Sequence, residues 1–146
     1  MTGGAGVPFA APLSAVDRVE VLHRDDGAAL ELRAEKSIDP GDPYMPGHFP
    51  GFPIYPGAFV PETVLQALAV AGGALDGRVP RIVALRELRL LAPLLAGDTL
   101  TCTATVTRRD EPGVLGVAAR VRRGDGRLAA RAELEVRFVD DGAHAR

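Results

Sequence analysis

The sequence predicts an α+β domain in which a curved antiparallel sheet wraps around one long buried helix. Three observations carry this reading. Six segments have the length or the apolar alternation of strands, and one apolar stretch, 58–71, has the length of a helix. Between the last two segments, Asp125-Gly126 is a strong two-residue hairpin signal. Several antiparallel strands with one apolar face, together with one apolar helix, have a simple solution: the sheet curls around the helix and both bury their apolar sides.

Residues 1–13 are rich in Gly, Ala and Pro without periodicity and are expected to form a flexible N-terminal segment, ahead of a domain at 14–139. Strand-like segments at 18–24 and 28–37 are separated by Asp25-Asp26-Gly27, a turn signal. In the second, Leu30, Leu32 and Ala34 alternate with Glu31, Arg33 and Glu35, the pattern of a half-buried strand. Residues 39–57 form a Pro/Gly loop, and a helix is expected from about Ala58 to Ala71. Pro61 lacks an N–H and is tolerated only in a first helical turn, so the helix must begin close to Gly57, with Glu62 near its N-terminal end. Phe59, Val60, Val64, Leu65, Leu68 and Ala69 cover so much of the circumference that the helix is expected to be buried and not to lie on the surface. Gly72-Gly73 ends it.

After a turn at Asp76-Gly77, strands are predicted at 81–91, 98–108, 113–122 and 127–138. Leu100, Cys102, Ala104 and Val106 alternate with threonines at 99, 101, 103, 105 and 107, which puts Cys102 in the core as a small apolar residue. With Asp125-Gly126 as the loop, Val121 pairs with Ala130 and Ala119 with Ala132, and both apolar sets share one face. Residues 140–146 read as a C-terminal tail.

A chain of 146 residues makes one domain and buries about two-thirds of its unfolded surface. No apolar run approaches the roughly 18 residues needed to span a bilayer, and no basic-then-apolar leader opens the chain. One cysteine excludes an intrachain disulfide and a cysteine metal cluster, and no His, Asp or Glu pair has metal-ligand spacing, so no metal is expected. The expected compartment is the cytoplasm. A net charge of −2 offers no electrostatic case for nucleic acid. The cations are arginines except Lys36, and they cluster at Arg78, Arg81, Arg86 and Arg89, at Arg108-Arg109 and at Arg120, Arg122 and Arg123. Such runs are solvated faces or a patch for an acidic partner. His23 and His144 carry no comparable context.

Residues 47–66, GHFPGFPIYPGAFVPETVLQ, are the most informative stretch. Pro50, Pro53, Pro56 and Pro61 each fix φ, and Gly47, Gly51 and Gly57 permit turns closed to other residues. A stiff loop of this kind holds one imidazole, His48, in one place, with the carboxylate Glu62 just past its end. Taken singly, each residue has a plainer reading: His48 incidental to a connector, Glu62 a first-turn helix residue, Gly57 a loop-to-helix turn, Gln66 a core-edge amide.

Taken together they resemble a family. Gly-His-Phe-Pro-Gly-x-Pro, then Pro56-Gly57, then Glu62 and Gln66, matches without a gap the β-hydroxyacyl-acyl carrier protein dehydratases of the hotdog fold. Ala-Pro-Leu-Leu-Ala-Gly-Asp at 92–98 is a second, weaker echo, and the layout agrees from about Val16 to Val139. The resemblance implies dehydration of a β-hydroxyacyl thioester, in fatty-acid or polyketide-type elongation. His48 would be the base, its other nitrogen held by the backbone carbonyl of Ile54. Glu62 would supply the acid, the Gly57 N–H would face the thioester carbonyl, and Gln66 would orient Glu62 or the leaving water. Phe49, Phe52, Tyr55 and Phe59 are placed along a substrate tunnel, although core packing suits Phe52 and Tyr55 equally. No cofactor is implied, because the acyl group arrives on the phosphopantetheine of a carrier protein. The implied partners are that acyl carrier protein and a second hotdog chain. The assembly would be a homodimer or larger assembly of dimers sharing active sites, or a heterodimer with another hotdog subunit. Leu91 and Ala92 stand where many members carry basic residues, and Pro61 replaces an apolar helix-compatible residue. Glu in place of Asp favours a simple dehydratase over a dehydratase-isomerase. Alternatives within the fold are an acyl thioesterase and a non-catalytic subunit of a heteromeric dehydratase.

Overall fold

In the computed structural model, which describes residues 13–24, 29–72 and 78–140, the alternating segments are strands and the apolar stretch is a helix. The elements are β1 (Arg18–Arg24), β2 (Ala29–Ser37), α1 (Phe59–Ala71), β3 (Arg78–Leu90), β4 (Thr99–Arg108), β5 (Leu115–Arg122) and β6 (Leu128–Asp140). All strand pairs are antiparallel, and the sheet runs β1-β2-β4-β5-β6-β3. The turns expected at 25–27 and 76–77, Gly73, His144 and most of the two expected terminal segments lie outside the described residues.

Strand alternation sets the core. Leu32 and Ala34, then Leu100, Cys102, Ala104 and Val106, then Val117, Ala119 and Val121, then Ala130, Ala132, Leu134 and Val136 are all buried. Register places Leu32, Ala104, Ala119, Ala132 and Leu88 side by side across five strands. Three alanines in the middle of that row leave space for the helix, and larger leucines close its two sides. Burial pushes the Cys102 thiol up to about 12, so it behaves as the small core residue its position predicts.

Two expectations are corrected. The helix is not buried all round. Val60, Thr63, Val64, Ala67 and Leu68, spaced i, i+3, i+4, i+7 and i+8, are buried, whereas Ala69 and Val70 are exposed. One chain's sheet covers one side of the helix only. The β5–β6 connection is also not a two-residue turn. Arg123 and Arg127 close a three-residue loop, Gly124-Asp125-Gly126, with Gly126 at φ 85°. The register then shifts between Val121 and Arg122, leaving Ala129 as an extra residue in β6. This bulge restores the predicted pairs Val121–Ala130 and Ala119–Ala132.

Strand β3 begins three residues earlier than expected, because Pro80 reads as a breaker. It pairs with Phe138 on an outer strand, where a missing N–H is tolerated. Leu13, Ala15 and Asp17 are fixed ahead of β1. Thr63 Oγ1 donates to the Ala15 carbonyl at 3.0 Å, and Asp17 accepts from the Ser37 amide at 2.7 Å and lies 3.6 Å from Lys36. Among the described residues, no helix is long and apolar enough to cross a membrane.

Candidate active site

The loop before the helix is wound by short-range turns. Asp42, Met45 and His48 each donate a backbone N–H three residues back, at 3.0–3.2 Å. Phe49-Pro50-Gly51-Phe52 closes another turn, with the Phe52 amide 2.9 Å from the Phe49 carbonyl and Gly51 at φ 83°. Proline at the second position and a left-handed glycine at the third are what such a turn requires. Phe49, with φ 70°, is the one non-glycine in the left-handed region among the described residues. Fully buried Met45 and nearly buried Tyr55 pin the loop to the core.

Residues 93–98 support the loop from below. Ile54 bridges Leu95, and the Tyr55 amide donates to the Leu94 carbonyl at 2.7 Å. These bonds fix the peptide plane that carries the Ile54 carbonyl. His48 Nδ1 lies 2.7 Å from that oxygen. A carbonyl oxygen only accepts, so Nδ1 is the donor, and in the neutral imidazole the lone pair is on Nε2. The contact implied for Ile54 is present.

His48, Phe49, Ile54, Tyr55, Gly57 and Val60 line a cleft of about 460 Å³ together with Leu90–Leu94, Ala129 and Ala130. Its walls are apolar, and among the described residues His48 and Tyr55 are its only titratable side chains. Burial, with Tyr44 adding to it, raises the Tyr55 phenol well above its usual range, so it stays neutral. That leaves the imidazole as the cleft's candidate base. Gly57 sits under Leu90: a Cβ there would displace the tip of the Leu90 side chain, which forms part of the cleft wall. The helix has no side-chain cap, and its first bonds run from Phe59 to Pro56 and from Val60 to Gly57. The Gly57 amide makes no hydrogen bond among the described residues, and the helix end adds partial positive charge there.

Glu62 and Gln66 lie one helical turn apart, half-buried, and the Gln66 Nε2 donates to Glu62 Oε1 at 3.1 Å. Neither lines the His48 cleft of the same chain. Phe52 and Phe59 also do not line it. Phe52 is exposed beyond the Pro50-Gly51 turn, and Phe59 packs edge-on against Tyr44 and Tyr55, with centroids 5.0 and 5.3 Å away. Sequence reasoning missed Leu90, Leu94, Ala129 and Ala130. The bulge at Ala129 brings β6 to the cleft, its carbonyl accepting from the amides of both Leu91 and Ala92. No sequence signal marked that bulge except Gly126. His23 lies on β1, at the opposite edge of the sheet from β3.

Comparison with known proteins agrees over most of the chain. A family model of the FabA-like domain matches residues 7–133. The 3-hydroxyacyl-acyl-carrier-protein dehydratase FabZ of Nitrosospira multiformis is 35% identical over 134 residues, covering 88% of this chain and 88% of that one. The FabZ of Polynucleobacter necessarius is 30% identical over 141 residues, covering 94% and 90%. A hot-dog-like protein from Thermanaerovibrio acidaminovorans has the same fold at a TM-score of 0.56 and 21% identity, covering 80% of this chain and 85% of that structure. The chain therefore belongs to the FabA-like family of β-hydroxyacyl-acyl carrier protein dehydratases and has the hotdog fold.

Proposed function

We propose that the protein is a 3-hydroxyacyl-acyl carrier protein dehydratase, releasing water to give the trans-2-enoyl thioester. The observation that carries this reading is the bond between His48 Nδ1 and the Ile54 carbonyl, which in the neutral imidazole leaves Nε2 as the base on a residue that lines an apolar cleft. Nε2 takes the proton from Cα, and the electrons of that C–H bond form the double bond to Cβ. The C–O bond at Cβ breaks, and the hydroxyl leaves as water with a proton from a carboxyl group. Charge developing on the thioester oxygen meets the Gly57 N–H. No cofactor enters any step, since the phosphopantetheine arm belongs to the substrate.

The carboxyl group is Glu62, supplied by a second copy of the chain. Two observations support this. Glu62 does not reach its own chain's cleft, and β3 is an outer strand that exposes Ile82, Val83 and Leu85. An exposed apolar edge of this kind favours pairing with another strand. A dimer joined along β3 is the arrangement in which one chain's Glu62 is to serve the other chain's cleft. The partners are then an acyl carrier protein and a like chain, in the cytoplasm, within fatty-acid or polyketide-type elongation.

The test is mass spectrometry of carrier-bound β-hydroxyacyl chains incubated with the protein. The expected product has lost one water and remains on the carrier. Release of free carrier thiol without loss of water would instead identify a thioesterase.

A further inference from the structure

On the reading that Glu62 is the acid, the N-terminal residues Leu13 and Ala15 acquire a role in the reaction. Gln66 Nε2 donates to the Leu13 carbonyl at 2.8 Å, and Gln66 Oε1 accepts from the Ala15 amide at 2.8 Å. The Ala15 N–H needs an acceptor and the Leu13 carbonyl needs a donor, so these two backbone groups permit only one orientation of the amide. The second N–H of Nε2 is then left for Glu62 Oε1, at 3.1 Å. Turned over, the amide would present its oxygen to the carboxylate and repel it. Thr63 Oγ1, buried one position after Glu62, holds the Ala15 carbonyl at 3.0 Å and keeps the strap against the helix.

We propose that Leu13–Ala15 is an orienting strap, and that Gln66 is a positioning residue through which this strap fixes one oxygen of the Glu62 carboxyl and leaves the other for the departing hydroxyl. The segment has no apolar periodicity and buries little beyond Ala15, which is fully buried. Its polar contacts with the helix go to Thr63 and Gln66, which follow Glu62 by one and four residues. A segment serving only to cover the core would have no reason to bond both ends of one side-chain amide.

The test is a pair of double-mutant cycles read by single-turnover dehydration with enzyme in excess. Gln66→Met keeps the side chain's length and removes its donors; Thr63→Val loosens the strap and leaves Gln66 and Glu62 chemically intact. In the wild-type background each should lower the dehydration rate, by about tenfold for Gln66→Met and severalfold for Thr63→Val, with substrate affinity unchanged. In a Glu62→Gln background neither should lower the residual rate further, because the group being positioned is gone. Equal losses in both backgrounds, or losses that appear only in KM or melting temperature, would overturn the proposal. If Glu62→Gln itself dehydrates at the wild-type rate, the functional reading fails and not merely this inference. Should Gln66→Met not fold, the Thr63→Val cycle alone decides between these outcomes.

Discussion

The Nδ1 atom of His48 and the carbonyl oxygen of Ile54 are 2.7 Å apart, closing a loop of seven residues whose shape is set by Pro50, Gly51 and Pro53. The Ile54 amide returns to the His48 carbonyl at 3.1 Å, so the two residues are joined in both directions. Among the described residues the imidazole's hydrogen bond is to backbone, and the Phe49 ring packs against it with centroids 4.7 Å apart. Its orientation therefore depends on loop geometry, which places both the Ile54 carbonyl and Phe49.

Replacing His48 with Ala should leave the fold intact, because the loop's bonds are backbone bonds. Dehydration should fall by roughly the 10²–10⁴-fold typical of a lost acid–base group. Circular dichroism with steady-state kinetics checks this. Near-wild-type turnover in the folded variant would remove His48 from the mechanism.

Glu62→Gln keeps the side chain's size and its place one turn before Gln66. Carrier-substrate affinity should survive while turnover drops by a similar roughly 10²–10⁴-fold. A variant with full turnover and only a lower melting temperature would make Glu62 a helix-start residue.

Much of this arrangement is legible in the sequence, and the misses have physical reasons. The pairs Ala119–Ala132 and Val121–Ala130 follow from period-two alternation on both sides of Asp125-Gly126, because a slip by one residue would turn every apolar side chain outward. The loop length was misread because Gly124 and Gly126 allow two turn geometries, and only the left-handed Gly126 with the extra Ala129 distinguishes them. The start of β3 was obscured by Pro80, whose tolerance depends on being at a sheet edge, a fact of strand order and not of local pattern. The strap at Leu13–Ala15 has no periodicity, and its only signal is that two polar residues, Thr63 and Gln66, interrupt an apolar helix. The cleft residues around His48 were found by motif, whereas Leu90 and Ala129 reach it by register alone.

Gly57→Ala should leave stability nearly unchanged and lower turnover. The added methyl meets the tip of Leu90, which is 60% exposed and can rotate away. Leu90 is nevertheless part of the cleft wall, and small displacements at a reacting group cost up to about 10²-fold. Melting curves and kcat/KM test both halves, and full activity would show that the position of the cleft wall does not matter to turnover. Adding Leu90→Ala should relieve the contact without restoring the wall.

Asp125 gives a prediction about pH. Its bond from Arg123, together with the Arg127 amide, holds the carboxyl at about 2, below its ordinary 3.8. A folded-state value below the unfolded one means that folding favours the ionised form. The resulting stabilisation is complete above about pH 4 and is lost as pH falls toward about 2. The melting temperature of wild type should therefore exceed that of Asp125→Asn at pH 6, with the gap closing between about pH 4 and 2. A gap that persists at pH 2 would assign the difference to turn geometry and not to charge.

The shared site is the central claim, and subunit exchange tests it most directly. His48→Ala and Glu62→Ala chains, each inactive alone, are mixed after reversible dissociation. In a mixed dimer, one site receives both lesions and the other combines an intact His48 with the partner subunit's intact Glu62. Random re-pairing makes about half the dimers mixed, each with one working site of two, so activity should return to about a quarter of wild type. If both residues served the same chain's site, every site would keep one lesion. A mixture that stays inactive after verified exchange would contradict the account.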